Sequence, residues 1–436
     1  MSYLPDRVPL HGPKFAADPH AAYAELRRMG PVGRVELSPG APAYLVTDYR
    51  AALDLLHDTD TWSKDTRPWQ QNQPADSPLV PMLGWRPNAL FNDGKAHERY
   101  RSVITDSYAL IEPHQLRRQV SKVANQLIGE FAAAGEADLI GQYARRLPLL
   151  LFHAQFGADD QEGPRLEADM AGMLDSQPDK AIQANINFAN YITELIRSKR
   201  LQRGQDLTSW FMDHPAALTP DELADQIVLT MLAGNEPTAN LIGNALSRML
   251  SNPAYYSSLS SGALTAHDAI NDVLRNEPPM ANYSAHVPRH AVHFHGTWIR
   301  PHELVLVSYH AANTEPGPTA DEKTAGGDDG AHLAWAAGPH SCPVKKPATL
   351  IATVAIEQLT RRLHDLELGV PRNELRWRPG GFHRALAQLP ARFTPIAPDP
   401  DGVSPWTSSS PYSSTRQDKT WSPKPPACAT SGPLYG

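Results

Sequence analysis

Apolar residues recur at helical spacing through much of the chain, and the longest such run predicts a helix from Pro220 to Ser251. Thr219, Pro220 and Glu222 supply a cap, a first-turn proline and the glutamate of a capping box. Asn252-Pro253 ends the pattern, and a helix of this length is expected to cross the core. Its apolar face is formed by Ala224, Ile227, Val228, Met231, Ala245, Leu246 and Met249.

Shorter patterns predict the remaining elements. Amphipathic spacing predicts helices over residues 17–29 and 113–134, and strand-like pieces lie at 43–47 and 291–307. The stretch from Thr66 to Phe91 contains several Pro and Trp residues and predicts a long loop, which inside a compact domain is usually functional. The chain is therefore expected to be mainly α with a minor β region.

The C-terminal stretch from Ala397 to Gly436 is dense in Pro, Ser, Thr and Gly and has no apolar period. Such a composition cannot bury enough apolar area to offset the entropy of ordering the chain. We therefore predict one folded domain over residues 1–396, followed by a disordered tail over residues 397–436.

Charge and the N-terminal sequence limit the possible functions. The formal net charge of −7 argues against general nucleic-acid binding. The N-terminus has no apolar core that would suit a signal peptide or anchor, and no run of about 18 apolar residues follows. A soluble, cytoplasmic protein with no membrane contact is expected. The two cysteines, Cys342 and Cys428, do not form a disulfide framework.

The centre of the long helix reads Ala233-Gly-Asn-Glu236-Pro237-Thr238, which is an unusual composition for a buried helix. An interior proline costs about 3 kcal/mol and frees the carbonyl four residues back, here that of Ala233. A free carbonyl beside Glu236 can hold a water or a ligand. A simple kink in a surface helix is the alternative.

Cys342 lies just before a second helical run, from Pro347 to Leu363. Unpaired amides and the helix dipole at such a position stabilise a thiolate. A thiolate is the axial ligand that favours O–O cleavage at a heme iron. The alternative is an inert buried cysteine, which is the commoner role of a lone Cys.

Five motifs, in this order, resemble those of the cytochromes P450, and the similarity runs from about residue 15 to residue 396. The resemblance is to soluble bacterial members that act in natural-product biosynthesis. It implies the family's mostly α, triangular fold around a buried heme b, and electrons from NAD(P)H through a ferredoxin reductase and a ferredoxin. The motifs are Asp93-Gly94-x-x-His97-x-Arg99-x-Arg101, Ala233–Thr238, Asp272-x-x-Arg275, Ala312-Asn313-x-x-Pro316 and Trp335-x-x-Gly338-x-x-x-Cys342.

The resemblance also implies roles for individual residues. Cys342 would bind the heme iron, and His97, Arg101 and His340 would bind the propionates. His286 falls where the family has a propionate-binding arginine, and it is a weaker donor because it is charged only below about pH 6.5. Asp272 and Arg275 would be structural, and they can pair on one helix face. Their third partner is not recognisable in residues 319–330.

Several further positions depart from the family pattern. In the cysteine loop, Trp335 replaces Phe, and Ala336 and Val344 replace Gly. The departure with the greatest chemical consequence is Pro237, which replaces the first Thr of the oxygen-binding helix. That Thr and the preceding acid relay protons during oxygen activation in hydroxylating members.

The relay positions make Ala233, Glu236, Pro237 and Thr238 the candidate catalytic residues. Glu236 keeps the acid, but Thr238 lies about 100° further around the helix and is not expected to replace the hydroxyl directly. A water at the Ala233 carbonyl is the alternative. We therefore expect oxidation of an aromatic or indolic metabolite, such as a cyclic dipeptide, by radical C–C or C–N coupling.

The substrate pocket is expected to be lined by the loop over residues 69–91, by residues 231–236 and by residues 280–285. An apolar pocket with few polar contacts suits a medium-sized, partly aromatic molecule. Trp62 is expected to be core packing. The named pocket residues are Trp85, Met231, Asn282, Tyr283 and Ala285.

Other interpretations stay open on the sequence alone. An ordinary hydroxylating monooxygenase, a peroxide-using peroxygenase and a non-catalytic heme-binding relative are possible, although Glu236 would repel the carboxylate of a peroxygenase's fatty acid. Zinc could bind His286, His290, His293 and His295, but no Cys or carboxylate completes a familiar spacing. An acidic ferredoxin could dock on the cations Lys345, Lys346, Arg99 and Arg117, or these could form a solvated face.

Overall fold

The computed structural model describes residues 7–74, 76–172, 178–252, 265–314 and 332–396, so the predicted tail lies outside the described residues. Helices dominate these ranges. They are α1 Gly12–Ala17, α2 Pro19–Met29, α3 Tyr49–His57, α4 Arg67–Gln70, α5 Val80–Leu83, α6 Gly94–Tyr108, α7 Pro113–Phe131, α8 Arg146–Gln155, α9 Gly163–Gly172, α10 Pro178–Leu201, α11 Leu207–Asp213, α12 Pro220–Leu250, α13 Ala266–Asn276, α14 Tyr309–Asn313 and α15 Lys345–Arg362.

The strands are short and form a minor β region. They are β1 Val8–Pro9, β2 Val32–Ser38, β3 Ala41–Val46, β4 Trp62–Ser63, β5 Glu136–Asp138, β6 Asn282–Pro288, β7 Val292–Phe294, β8 Thr297–Ile299, β9 Val305–Ser308, β10 Glu367–Leu368 and β11 Pro390–Arg392. A six-stranded sheet has the order β1-β2-β3-β9-β6-β4, a three-stranded sheet has the order β10-β11-β5, and β7 pairs with β8.

Helix α12 confirms the predicted long helix and its start. The Thr219 hydroxyl accepts from the Glu222 amide and the Glu222 carboxylate accepts from the Thr219 amide, so both bonds of the capping box are present. Helices α8, α10, α13 and α15 pack against α12, and they share the largest hydrophobic core with it. Pro237 lies inside the helix without ending it. The helix therefore carries its central motif through the middle of the protein.

The other predicted elements are also found, with small shifts. Helices α2 and α7 and strands β3 and β7–β9 fall within or close to their predicted ranges. The predicted loop over residues 66–91 contains two short helices, α4 and α5. Helix α15 begins at Lys345, earlier than predicted, because a proline is tolerated within the first turn. Trp62 is 2% exposed and belongs to the core, as expected.

Strand β6 has an irregularity that positions part of the site. Its pairing with β9 shifts register between Tyr283 and His286. Ser284 lies in this shift with a φ of 59°, a left-handed conformation that costs a non-glycine residue about 1 kcal/mol or more. Such bulges turn side chains toward new neighbours. Here the Ser284 hydroxyl accepts from Lys64, which follows β4, and the Ser284 carbonyl accepts from His286 of the same strand.

Candidate active site

The cysteine loop folds tightly against the end of α3. The Cys342 amide donates to the Trp335 carbonyl at 2.8 Å, and the Val344 amide donates to the Cys342 thiol. Gly338 has a φ of 66°, and a Cβ at this position would overlap the Leu56 carbonyl oxygen. The loop therefore holds Cys342 in one place just before α15. At position 338 only glycine fits without strain or overlap.

Burial raises the pKa of the Cys342 thiol, although the Val344 amide, Arg101 and Lys345 act in the opposite direction. Cys342 lies at the predicted helix N-terminus, where a thiolate would be stabilised. The structure shows that desolvation outweighs that stabilisation. A metal ion is then what would hold the sulfur as a thiolate, because a coordinated thiol is deprotonated outright.

His97 and His340 meet beside the cysteine loop, with ring centroids 3.9 Å apart. Burial, with Arg101 and Lys64 nearby, lowers the pKa of His97 to about 4. Burial and the surrounding cations also hold the pKa of His340 far below its ordinary value. The buried His97 Nε2 has no hydrogen-bond partner in the described part of the chain. Both rings are therefore neutral groups available for hydrogen bonding.

Lys64 belongs to the same cluster and was not found from the sequence. It is 3% exposed, and its Nζ donates to the Ser284 hydroxyl at 3.1 Å. Burial lowers the pKa of Lys64 to about 7, opposed by the charge of Asp93. Lys64 directly follows β4, and the antiparallel pairing of β4 with β6 brings it to the Ser284 bulge. Nothing in the local pattern signals this burial.

His286 is also buried, and its bond pattern defines its tautomer. Its Nδ1 lies 2.6 Å from the Ser284 carbonyl oxygen, which can only accept, so Nδ1 carries the proton. Burial, with Lys64 nearby, lowers the pKa of His286 well below its ordinary value. In this neutral ring Nε2 has no hydrogen to donate. His286 therefore lacks the donor that an arginine would offer at this position.

These residues fit a heme. Cys342 offers an iron ligand, and the unpartnered His97 Nε2 is the kind of buried polar atom that a bound group would satisfy. Arg101 is partly buried. Burial lowers the pKa of its guanidinium, and a negative charge on Cys342 acts in the opposite direction. Arg101 and Lys64 give the cluster an excess of positive charge next to the cysteine, which suits the carboxylates of heme propionates.

The centre of α12 presents an open face. Ala233 is exposed and Pro237 partly exposed, one turn apart on the same side of the helix, whereas Thr238 is buried with 4% exposure. Exposed positions in the middle of a core helix indicate a cavity beside it. Gly234, by contrast, lies on a closely packed side of the helix, because a Cβ at this position would lie 2.7 Å from the Phe152 ring of α8. Close packing explains this glycine.

Glu236 forms an ion pair with Arg378 and also accepts from Asn240 at 3.3 Å. Burial alone would raise the pKa of Glu236, but Arg378, His383 and Arg145 outweigh it and hold the pKa below its ordinary value. The carboxylate is therefore ionised and committed to a cation. Arg378, which the sequence analysis missed, comes from a hairpin around Pro379-Gly380-Gly381, and only that turn was visible in the sequence.

The structure corrects three of the five expected pocket residues. Met231 is buried in the main core, and Ala285 packs in the cluster beneath the sheet. Asn282 is fully buried, and its amide is already used, since it donates to the Tyr23 hydroxyl at 3.0 Å and to the Gly381 carbonyl at 2.6 Å. Trp85 and Tyr283 remain partly exposed.

The expected structural and docking residues have defined partners. Asp272 forms an ion pair with Arg248 of α12, which the sequence did not single out. Arg99 donates to both carboxylate oxygens of Glu222 at 2.8 Å, so it ties α6 to α12 and is not a free docking cation. Arg117 pairs with Glu357 at 2.8 Å. Lys345 and Lys346 are exposed beside the cysteine loop.

The zinc alternative is wrong. Within the described ranges, no group of three or more His, Cys, Asp or Glu side chains could hold a metal ion. His293 packs on Trp298 with ring centroids 5.2 Å apart, and His295 Nε2 lies 2.9 Å from an Asp54 carboxylate oxygen. No helix within the described ranges is long and apolar enough to cross a membrane.

The sequence is similar to those of bacterial cytochromes P450 over most of its length. Cytochrome P450 107B1 of Saccharopolyspora erythraea is 31% identical over 396 residues, covering 87% of this chain and 96% of that protein. The cytochrome P450 monooxygenase PikC of Streptomyces venezuelae is 31% identical over 395 residues, covering 88% and 92%. No family model matches the chain.

Solved structures agree. CYP154C4 from a Streptomyces species has a TM-score of 0.80 at 27% identity, covering 89% of this chain and 98% of that one. CxnD, a cytochrome P450 for C–S bond formation in chuangxinmycin biosynthesis, has a TM-score of 0.77 at 26% identity, covering 91% and 100%. The fold and these relatives together define an oxidoreductase. The chain belongs to the cytochrome P450 family, whose members carry a heme iron, and it is a monooxygenase of that family.

Proposed function

We propose that this enzyme oxidises a medium-sized aromatic or indolic natural product and that its main reaction is coupling or ring closure. The proposal rests on one observation: no side chain of the α12 centre is free to deliver a proton. Pro237 has no hydroxyl, Thr238 is buried, and Glu236 is ionised against Arg378. A water at the Ala233 carbonyl remains the only delivery route that the helix backbone offers.

A heme bound through Cys342 would supply oxygen activation, using dioxygen and two electrons. In the proposed reaction the substrate loses two hydrogens and forms one new bond, and dioxygen with two electrons and two protons becomes two waters. A substrate N–H or O–H would assist where the chain has no hydroxyl, and the same group would then lose a hydrogen atom. Indoles, phenols and cyclic dipeptides carry such groups.

The loop before α6 supports an aromatic substrate with a carbonyl. Arg86 reaches Asp225 of α12 at 3.4 Å, which places the neighbouring Trp85 near the first half of that helix. The Arg67 guanidinium lies 4.6 Å from the Trp85 ring centroid, and the buried Trp85 Nε1 has no hydrogen-bond partner in the described ranges. A substrate carbonyl would satisfy this donor.

The name of one structural relative is consistent with this chemistry. CxnD is described as an enzyme for C–S bond formation, and PikC as a monooxygenase. The family therefore supports both bond formation and hydroxylation on similar folds. The fold alone does not choose between them, so the choice rests on the residues of α12.

Supplied with ferredoxin, ferredoxin reductase and NADPH, the enzyme is expected to convert an indolic or phenolic substrate to a dimer or to a product two hydrogens lighter. Product masses decide the outcome. Products heavier by one oxygen, with no dimer or dehydrogenated species for any tightly bound substrate, would refute the proposal. A parallel reaction with hydrogen peroxide and no reductase tests the peroxygenase alternative.

Pro237→Thr, compared with Pro237→Ala, isolates the effect of the missing hydroxyl. Both substitutions restore the backbone N–H, but only threonine adds the hydroxyl. Both variants close the Ala233 carbonyl with the restored N–H, so the comparison is between them. We expect Pro237→Thr to give more hydroxylated by-products or more released peroxide than Pro237→Ala. Improved coupling in the threonine variant alone would contradict the proposal.

An acidic ferredoxin is proposed as the electron donor, docking beside the exposed Lys345 and Lys346. The double variant Lys345→Glu/Lys346→Glu is expected to raise the KM for ferredoxin about tenfold, because like charges at an interface slow association. The effect should shrink as ionic strength rises. The exposed Lys14 of α1 provides a matched control, and an equal change in Lys14→Glu would show that general charge is responsible.

A further inference from the structure

Lys64 has a buried ammonium without a hydrogen-bonded carboxylate. Its Nζ donates to the Ser284 hydroxyl at 3.1 Å, and the described part of the chain gives it no other hydrogen bond or ion pair. The nearby carboxylate of Asp93 is already used, since it accepts from the Ser63 hydroxyl, the Lys64 amide and Arg289. A buried, unpaired ammonium is costly, so an anion that binds beside it would offset a large penalty.

The groups around Lys64 are the expected propionate ligands. Its charge acts on His97, His286 and His340, so it lies in the same cluster as all three. The cluster borders the loop that carries Cys342, because Arg101 acts on both His97 and the Cys342 thiol. The Lys64 ammonium is thus placed where the carboxylates of a bound heme would lie.

His286 does not supply the donor that the family pattern has at its position. The Ser284 carbonyl takes the Nδ1 hydrogen at 2.6 Å, which leaves Nε2 as an acceptor. The same residue, Ser284, offers its hydroxyl to Lys64 from the bulge of β6. His286, which stands where the family pattern has an arginine, and the buried Lys64 therefore both contact Ser284.

The charges also balance. A heme b carries two propionate carboxylates, and the cluster holds two basic side chains, Arg101 and the buried Lys64 at the Ser284 bulge. A carboxylate beside Lys64 would raise its lowered pKa and hold it as an ammonium. Among the histidines, His97 offers the unpartnered Nε2 to such a carboxylate, whereas His286 has no donor left. Without Lys64 a single cation would face two carboxylates.

We propose that the Lys64 ammonium binds a heme propionate and replaces the arginine that the family has where this chain has His286. The inference rests on the proposed heme site at Cys342. Lys64 is therefore a cofactor-binding residue of this chain, assigned by its position at the Ser284 bulge.

The test compares heme release from purified holoprotein of the wild type, Lys64→Met and Lys64→Arg, measured by transfer to excess apomyoglobin. Methionine keeps the length and apolar character of the lysine stem without its charge. We expect release from Lys64→Met to be about ten- to a hundredfold faster, as for loss of a charged hydrogen bond, and Lys64→Arg to stay close to wild type. Release from Lys64→Met at the wild-type rate would overturn the proposal.

A second variant separates propionate binding from a structural role. Lys64→Met combined with His286→Arg places a cation on the neighbouring strand, where the family pattern has one. If Lys64 binds a propionate, the double variant should regain most of the heme retention, and it should yield holoprotein even if Lys64→Met alone does not. Failure of this rescue, with Lys64→Arg also defective, would assign Lys64 a packing role.

The reduction potential gives an independent readout. Removing a positive charge beside the heme should move the potential to more negative values in Lys64→Met, and the double variant should reverse the shift. The carbon monoxide spectrum of the wild type is recorded first. Absence of a Cys342-dependent thiolate band there would contradict the proposed function, whereas an intact band with unchanged heme release and potential would contradict only the role of Lys64.

Discussion

Cys342→Ala is expected to abolish the thiolate-specific absorption that the reduced protein shows with carbon monoxide. The Cys342 amide donates to the Trp335 carbonyl and the Val344 amide donates to the Cys342 thiol, which fixes the residue just before α15. No other cysteine lies in the described ranges, so no second sulfur there can replace it as an iron ligand. Heme content should fall as well, because the axial bond contributes to cofactor binding.

The measurement is a difference spectrum with heme quantified per chain, and Cys428→Ala is the matched control. Cys428 lies in the predicted tail, so its substitution should leave the spectrum unchanged. A thiolate band that persists in Cys342→Ala would show that the iron ligand has been misassigned. A band lost in both variants would point to a general effect of cysteine removal.

Gly338→Ala is expected to reduce heme content and stability sharply. Gly338 has a φ of 66°, and an added Cβ would overlap the Leu56 carbonyl oxygen. Because backbone atoms of α3 cannot turn aside as a flexible side chain does, the cysteine loop must move and carry Cys342 with it. We expect the free energy of unfolding to fall by about 3–5 kcal/mol, as it does for other strained or overpacked positions.

Gly296→Ala separates the steric clash from backbone strain. Gly296 has a φ of 86°, but nothing lies within 4 Å of an added Cβ. Its substitution should cost only about 1–2 kcal/mol, the penalty of a left-handed backbone. Thermal unfolding and heme content are measured for both variants. Equal losses would mean that the contact between Gly338 and Leu56 does not set the position of the loop.

The active site combines a cysteine loop that resembles the family pattern with a helix centre that departs from it. The cysteine loop needs only local geometry: a left-handed glycine, a close contact and a helix that follows. The helix centre has instead lost its hydroxyl at Pro237, and its acid is held by Arg378. Both features limit proton delivery from the helix, and Pro237→Thr changes the first while it leaves the Glu236–Arg378 ion pair in place. The product distribution of Pro237→Thr will show how much of the reaction outcome this one position controls.

The sequence by itself determined the features that depend on neighbouring residues. The capping box of α12, the end of that helix near Asn252 and the position of Cys342 before α15 follow from local spacing and turn chemistry. The order of the motifs was enough to predict the family and the mainly α fold. Trp62 was correctly expected in the core, which is the usual place of a large aromatic side chain.

Only the tertiary structure decided which distant side chains meet. Lys64 and Ser284 are 220 positions apart, and Glu236 and Arg378 are 142 positions apart. Sheet register and helix packing bring them together, and neither leaves a periodic signal in the sequence. The same long-range contacts took Asn282 and Met231 out of the expected pocket and turned Arg99 toward Glu222. Burial then set the protonation of the cluster, since desolvation is a property of the folded surroundings and not of any residue alone.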